Sequence, residues 1–377
     1  MIQPPPAHET FGAIQNTLTV PLPVGVKPGL AVRQATEAQE SARARYGGAL
    51  VALVQQVSSA YFDVLRNQAL LSAARDELSA AQRELSDVQK RYEAGDVAEL
   101  EVEQAQVPVA GAQASLVQAR TQLALAQETF NDLIGRPLQS PVAVADITAA
   151  PPASAYSLEQ ARMNALAASD DVAAADDTVL ADQTALRAAK LWDEPQVALQ
   201  ASDTRSGDQT AFSREDTIQA QVSVPLDDGG LGRAQTREAQ AALDQAQAQA
   251  DAARKSVLVA VSSAYLSAQS SAAQVESART AERIAQSTYD KTVLAYRNGL
   301  SPLVDVLGAQ NALAQARSAY IQALYGAASA QQILRVDIGG GSAIAALPTA
   351  PASDANMPLA RLPNTPTPTT APGGATH

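Results

Sequence analysis

Val57-Ser58-Ser59-Ala60-Tyr61 and Val261-Ser262-Ser263-Ala264-Tyr265 are the same five residues set 204 positions apart. The offset holds on both sides of them. Val20-Pro21-Leu22 recurs as Val224-Pro225-Leu226, and Tyr92-x-x-Gly95 as Tyr296-x-x-Gly299. Ala105-Gln106 recurs as Ala309-Gln310, and Ile134-Gly135 as Ile338-Gly339. A constant offset over about 115 residues leaves no room for insertions, so both halves carry the same elements at the same lengths. The unit is too long for a solenoid repeat. One structural half has been built twice.

Composition narrows the class. Aromatics are only 4% of the 377 residues, while Ala and Gln are abundant. That is the profile of long helices packed through small side chains, each burying a narrow stripe. The net charge of -12 argues against nonspecific nucleic-acid binding. The absence of Cys excludes a disulfide framework, a thiolate metal site and a cysteine nucleophile. The only histidines, His8 and His377, lie near the termini. No Gly-rich phosphate loop precedes a helix, and the acids are scattered without metal-ligand spacing. The expectation is a protein without catalytic activity, cofactor or metal. No run of about 20 apolar residues suggests a membrane-spanning helix.

Two short stretches alternate with period two. Ile14, Asn16, Leu18 and Val20 oppose Ala13, Gln15, Thr17 and Thr19, and Ile218, Ala220, Val222 and Val224 oppose Thr217, Gln219, Gln221 and Ser223. A third, Gln196 to Ser202, carries Val197, Leu199 and Ala201 on one face. Strands are expected at 11–21, 195–203 and 215–225, with the polar segment 203–215 as a hairpin loop. One face is apolar and the other is Gln, Thr and Ser, without charge in the strand cores. That pattern fits a half-buried soluble sheet or the wall of a transmembrane barrel.

Long helices follow each Val-Pro-Leu. Residues 30–93 and 233–297 contain no Pro and are rich in Ala, Gln, Leu, Glu and Arg. About 64 residues at 1.5 Å each give roughly 95 Å, too long for a compact domain. Each ends at a Gly, and return helices are expected over 98–134 and 302–337, with Pro302 in a first turn and Pro108 kinking its helix. A further helix is expected over 157–190. Trp192 beside Pro195 reads either as a membrane-interface anchor or as helix-end packing. The chain therefore divides into a disordered N-terminus, 1–10; a first structural repeat, 11–135; a Pro/Ala/Val linker, 136–155; a second repeat, 156–339; and a disordered Pro/Ala/Thr-rich tail, 340–377.

The duplicated order of strand, long helix, Tyr-x-x-Gly turn, return helix and Ile-Gly resembles the outer-membrane factor family of TolC-like efflux channels. The residues that carry the likeness are Tyr92 to Gly95, Val102, Ala105-Gln106 and Leu133-Ile134-Gly135. In the second copy they are Tyr296 to Gly299, Pro302, Val304-Asp305-Val306, Ala309-Gln310 and Ile338-Gly339. The resemblance implies a mostly α protein, with long α-helical hairpins forming a periplasmic α-barrel joined to strands of a shared transmembrane β-barrel. It implies a homotrimer in outer-membrane lipid, a periplasmic adaptor protein as partner and an inner-membrane transporter engaged indirectly. No nucleic acid is implied.

By the same resemblance the helix turns form the periplasmic entrance of the tunnel, with carboxylate rings. Asp305 and Glu101 match that aperture; Glu99 and Glu103 stand near Glu101 as alternatives, and a helix-start acid is the plainer reading of either. Tyr92, Gly95, Tyr296, Gly299 and Pro302 mark the hairpin tips that would meet the adaptor. The two glycines are explained equally by backbone geometry, and the two tyrosines by packing at the hairpin base or by a gate-latching hydrogen bond. The competing function is a soluble or periplasmic helical-hairpin scaffold or adaptor without channel activity.

Counterparts of 157–202 in the first repeat would fall before Met1, and neither a signal peptide nor a lipidated Cys is present. The expectation is therefore a fragment or a misplaced start. Such a chain would give three strands per subunit and would not conduct alone.

Overall fold

The structure, a computed structural model, describes residues 12–145, 156–207 and 212–339. The elements run β1 (Gly12–Leu22), α1 (Lys27–Glu93), α2 (Glu99–Leu133), α3 (Leu158–Ala168), α4 (Asp170–Lys190), β2 (Gln196–Gly207), β3 (Phe212–Ser223), α5 (Leu231–Arg297) and α6 (Leu303–Gly339). The termini expected to be disordered, 1–10 and 340–377, fall outside the described residues, as do His8, His377 and linker residues 146–155.

α1 and α5 each have 67 residues, about 100 Å of helix. Neither can be stable along its length unless its apolar stripe is covered. α2 covers part of α1, and α6 covers part of α5. α4 packs between α1 and α5, and α3 lies on α5 and α6. The buried hydrophobic residues are most often Ala, with Leu and Val next, and Ala161, Ala165, Val261, Ala268, Leu334 and Ile338 form one cluster where α3 seats. Small side chains let the helix axes approach closely, which is why the aromatic content can be so low.

Two differences from the sequence reading concern these helices. The helix expected over 157–190 is broken at Ser169. Ser169 accepts from the amide of Val172, and Asp170 and Asp171 follow in the first turn, so a new helix starts there. The break faces Gly47 and Gly48 of α1, where a methyl would collide with Asp170 or Asp171. Second, α1 contains an 18-residue window of mean hydropathy 1.3, long and apolar enough to cross a membrane. The window belongs to a helix flanked by α2, α4 and α6, yet only 22% of it is buried within the protomer. Pro108 lies inside α2, which continues through it, and Pro302 stands one residue before α6.

The three strands form one antiparallel sheet in the order β1-β2-β3. The register stacks Leu22, Val197 and Val222 in one row, Val20, Leu199 and Ala220 in the next, and Leu18, Ala201 and Ile218 in a third. These rows share one face, and Ile218 is 78% exposed. The other face carries Gln200 opposite Gln219, joined at 2.8 Å.

β2 and β3 reach four and three residues further into the supposed hairpin loop than the sequence suggested. The polar residues at both ends of that segment pair across the sheet instead of forming a loop. Asp203 opposes Asp216 and Arg205 opposes Arg214, and each like pair is neutralised by its neighbours along the strand. Arg205 and Arg214 both reach Asp203, at 3.0 and 3.4 Å, and Arg214 reaches Asp216 at 3.1 Å.

Sheet and helices meet at two short junctions. Glu194, just before β2, accepts from the amides of Val26 and Lys27 and closes the exposed start of α1. Gly25 turns the chain there with φ of 99°. At α5, Asp228 accepts from Gly230 at 2.9 Å and from Gly232. The Trp192 ring lies against Gly232, filling the space a side chain would need. Trp192 is thus packed on the first turn of α5. Gly232→Ala should drive a methyl into the indole and cost about 1–3 kcal/mol. Because Trp192 is the only Trp, its fluorescence during thermal unfolding reads both the shifted environment and the lower midpoint.

Candidate functional site: the paired hairpin tips

Each long helix ends in the same cap. Gly95 has φ of 82° and Gly299 of 70°. The Gly95 amide donates to Tyr92 O at 2.9 Å and the Asp96 amide to Arg91 O at 2.9 Å. The second copy repeats this, with Gly299 donating to Tyr296 O at 2.9 Å and Leu300 to Ala295 O at 2.8 Å. This pair of bonds satisfies the last carbonyls and needs a left-handed residue at its centre, which glycine supplies without strain. The chain then turns straight into α2 or α6.

The two tyrosines that open this cap do different things. Tyr296 is 7% exposed, in a cluster with Val88, Ala105, Leu303 and Val306. Its hydroxyl donates to Glu101 Oε2 at 2.9 Å, and the Arg91 guanidinium lies 4.7 Å from its ring centre. Burial pushes the phenol above its usual range, so it stays protonated and is the donor. Tyr92 is 45% exposed. Of the two expectations for the tyrosines, packing at the hairpin base or a hydrogen bond there, Tyr296 meets both within the protomer, whereas Tyr92 is exposed.

Further bonds join the two halves around Tyr296. Arg91 donates to Arg297 O at 3.0 Å, and Arg297 reaches Asp87 at 3.4 Å. Glu101, one of the two aperture candidates, is therefore held by the opposite half. Asp305, the other, is exposed in the first turn of α6 and accepts from the Ser301 hydroxyl at 2.7 Å. Glu101 and Asp305 thus have different partners, although their neighbours Val102 and Val306 share one cluster. Glu99, Glu103 and Pro302 are exposed, as are Leu100, Leu300 and Val304 at the turns.

Four contributors escaped the sequence reading: Glu84, Asp87, Arg91 and Arg297. They sit at helical spacing on surfaces that look solvated, and only the folded chain shows that the tips converge. Glu84 is 7% exposed. Burial pushes its carboxyl up; Asp87 adds to this, while Arg297 and Arg91 pull it down.

This arrangement, a small sheet opening into two joined helical hairpins, has known counterparts. The family model described as outer membrane efflux protein matches residues 10–136 and 161–340. The chain belongs to that family. Among curated members it is 27% identical over 274 residues to the outer membrane efflux protein BepC of Brucella suis, which covers 71% of this chain and 59% of BepC. It is 25% identical over 290 residues to the outer membrane protein TolC of Escherichia coli, covering 72% of this chain and 58% of TolC. The chain thus spans a little under three fifths of these relatives.

Solved structures of outer membrane proteins share the fold. VceC of Vibrio cholerae aligns over 88% of this chain and 87% of its own, with a TM-score of 0.70 at 19% identity. The open state of the MtrE outer membrane channel of Neisseria gonorrhoeae aligns over 88% and 81%, with a TM-score of 0.72 at 16% identity.

The pH behaviour of the tips follows from Glu84. Its folded pKa is raised, so between the ordinary carboxylate value of about 4.3 and that raised value the folded state holds more protons than the unfolded one. Stability at this site therefore grows as pH falls through the raised value. Glu84→Gln should raise the melting temperature at neutral pH, and the advantage should vanish at about pH 4 and below. Melting curves of both proteins across pH 4–8 check this.

Proposed function

We propose that this protein is the outer-membrane channel component of a tripartite efflux or type I secretion system, exporting small molecules or protein. Three copies assemble, their strands contribute to one shared barrel, and their helices enclose a tunnel in the periplasm. The observation that carries this reading is the direct passage of β1 into α1 and of β3 into α5, from a sheet with an exposed apolar face into helices of about 100 Å. Backbone in lipid must be paired throughout, so an apolar-faced sheet in a membrane belongs to a closed barrel. The uncovered apolar window on α1 gives a neighbouring copy a surface to bury.

The hairpin tips are the end furthest from the sheet. Asp305 lines the aperture there as a ring of three carboxylates in the trimer, and Glu101 braces the same end through Tyr296. Tyr92, Gly95, Gly299 and Pro302, with Leu100, Leu300 and Val304 beside them, present the surface on which a periplasmic adaptor docks. The inner-membrane transporter acts through that adaptor and supplies the energy, so the channel itself performs no reaction. A scaffold without channel activity has no use for the exposed apolar sheet face.

The test is fractionation followed by electrophysiology. The protein should sediment with outer membranes and need detergent for extraction; in planar bilayers a chain supplied with a fourth strand should conduct, whereas the three strands alone should not. Recovery in the soluble fraction without detergent would defeat the reading.

Two substitutions address the tip. Tyr296→Phe removes the hydroxyl and leaves a Glu101 carboxylate unpaired, a loss of about 1–3 kcal/mol at the latch, and should raise the open fraction in single-channel records. Asp305→Asn should weaken cation preference and divalent block more than substitution of acids on the long helices. Those acids are screened within about 10 Å at 0.1 M salt, whereas a carboxylate ring in a narrow aperture acts directly on the ion. Unchanged selectivity at low salt would make Asp305 a helix-start acid only.

A further inference from the structure

Two contacts between side chains tie the halves of one protomer together at the tips, Tyr296 to Glu101 and Arg297 to Asp87, beside the bond from Arg91 to the Arg297 carbonyl. The 204-residue offset says what their counterparts are. Tyr296 maps to Tyr92 and Glu101 to Asp305, again a phenol and a carboxylate. Arg297 maps to Glu93 and Asp87 to Lys291, again an ion pair, with the signs exchanged. The surroundings survive the shift only in part. Arg91 maps to Ala295, Val293 to Gln89, Leu303 to Glu99 and Leu307 to Glu103. Pairing chemistry is kept at the two contacts while Val293, Leu303 and Leu307 give way to Gln89, Glu99 and Glu103; Ala105 and Val306 keep the apolar counterparts Ala309 and Val102.

Within the protomer Tyr92, Glu93, Lys291 and Asp305 are all exposed, and no hydrogen bond or ion pair joins them to one another. Asp305 uses Oδ2 for Ser301 and leaves Oδ1 open. A ring of copies explains the arrangement. In such a ring the internal repeat becomes a rotation that carries first half to second half, and second half to the first half of the next copy. A contact between halves inside a protomer then recurs across the boundary between protomers.

We infer that the tip seam is built twice: once within each protomer, and once between protomers by Tyr92 of one copy donating to Asp305 of the next, with Glu93 paired to Lys291 across the same boundary. The inference rests on the ring assembly proposed above and adds the residues that close it. Asp305 then lines the aperture and also holds the neighbouring copy. Polar residues replace apolar ones around this second seam, so it is the weaker of the two and the one along which the tip parts.

The test uses the absence of Cys from the chain, so introduced thiols react alone. Tyr92→Cys and Asp305→Cys are placed in the chromosomal gene, and membranes are treated with a short bismaleimide. The double variant should run on denaturing gels as covalent trimer in excess of any product from Asp305→Cys alone, whose three thiols share the aperture, and Tyr92→Cys alone should run as monomer. Tyr296→Cys with Glu101→Cys should link within a protomer and stay monomeric. As a second arm, Glu93→Lys should reduce the trimer recovered in detergent by about two- to five-fold, and adding Lys291→Glu should restore it.

If light scattering shows a trimer but the Tyr92/Asp305 thiols give no covalent product beyond that of Asp305→Cys alone and the charge exchange gives no rescue, the seam is wrong and the ring assembly stands. If no oligomer forms, both fall.

Discussion

Everything in this chain depends on covering two helices of about 100 Å with small side chains. A single helix that long has no core of its own, and its stripe of Ala, Val and Leu must meet another helix at every turn. The return helices α2 and α6, at 35 and 37 residues, reach only just over half way. The remaining length is taken by α3 and α4, and α4 serves α1 and α5 together. One inserted helix pair therefore completes both long helices on the side where they face each other. Close Ala-lined packing also accounts for the glycines on α1 opposite the break at Ser169, which leave room for the first-turn aspartates Asp170 and Asp171.

At the tips the rule changes from apolar packing to directed pairs. Tyr296, Glu101, Arg91, Arg297 and Asp87 form a small network in which each polar group meets another from the opposite half. Such contacts contribute little net stability where water reaches them, but they specify which turn sits beside which. The buried Glu84 carboxyl beneath them costs stability at neutral pH, and Arg297 and Arg91 offset part of the cost of charging it.

Much of this architecture is legible in the sequence because it is written in periodicity and punctuation. Gly95 and Gly299 end the long helices where they were expected to, and the alternation of Ile14 to Val20 and Thr217 to Val224 marks strands. The second-half break was legible too: Ser169-Asp170-Asp171 is a helix-start signature, hidden by the good helix formers on either side. The strand ends were not, because Asp203, Arg205, Arg214 and Asp216 look like a loop until the register pairs them. Nor was the bond between Tyr296 and Glu101, whose partners lie 195 residues apart. The repeat makes the two tyrosines equivalent, and only the fold distinguishes the one that is buried.

Gly47 and Gly48 also make the two long helices mechanically unlike. Glycine weakens a helix interior by about 1 kcal/mol relative to alanine, and two in succession lower the cost of bending locally. The corresponding positions in α5 are Asp251 and Ala252, and α5 has no glycine beyond Gly232. Two rods of equal length thus differ in stiffness, α1 carrying a compliant point near its sheet end and α5 running rigid to its tip. A bend therefore costs less in α1 than in α5, and the duplicated halves accommodate the same displacement at their tips unequally.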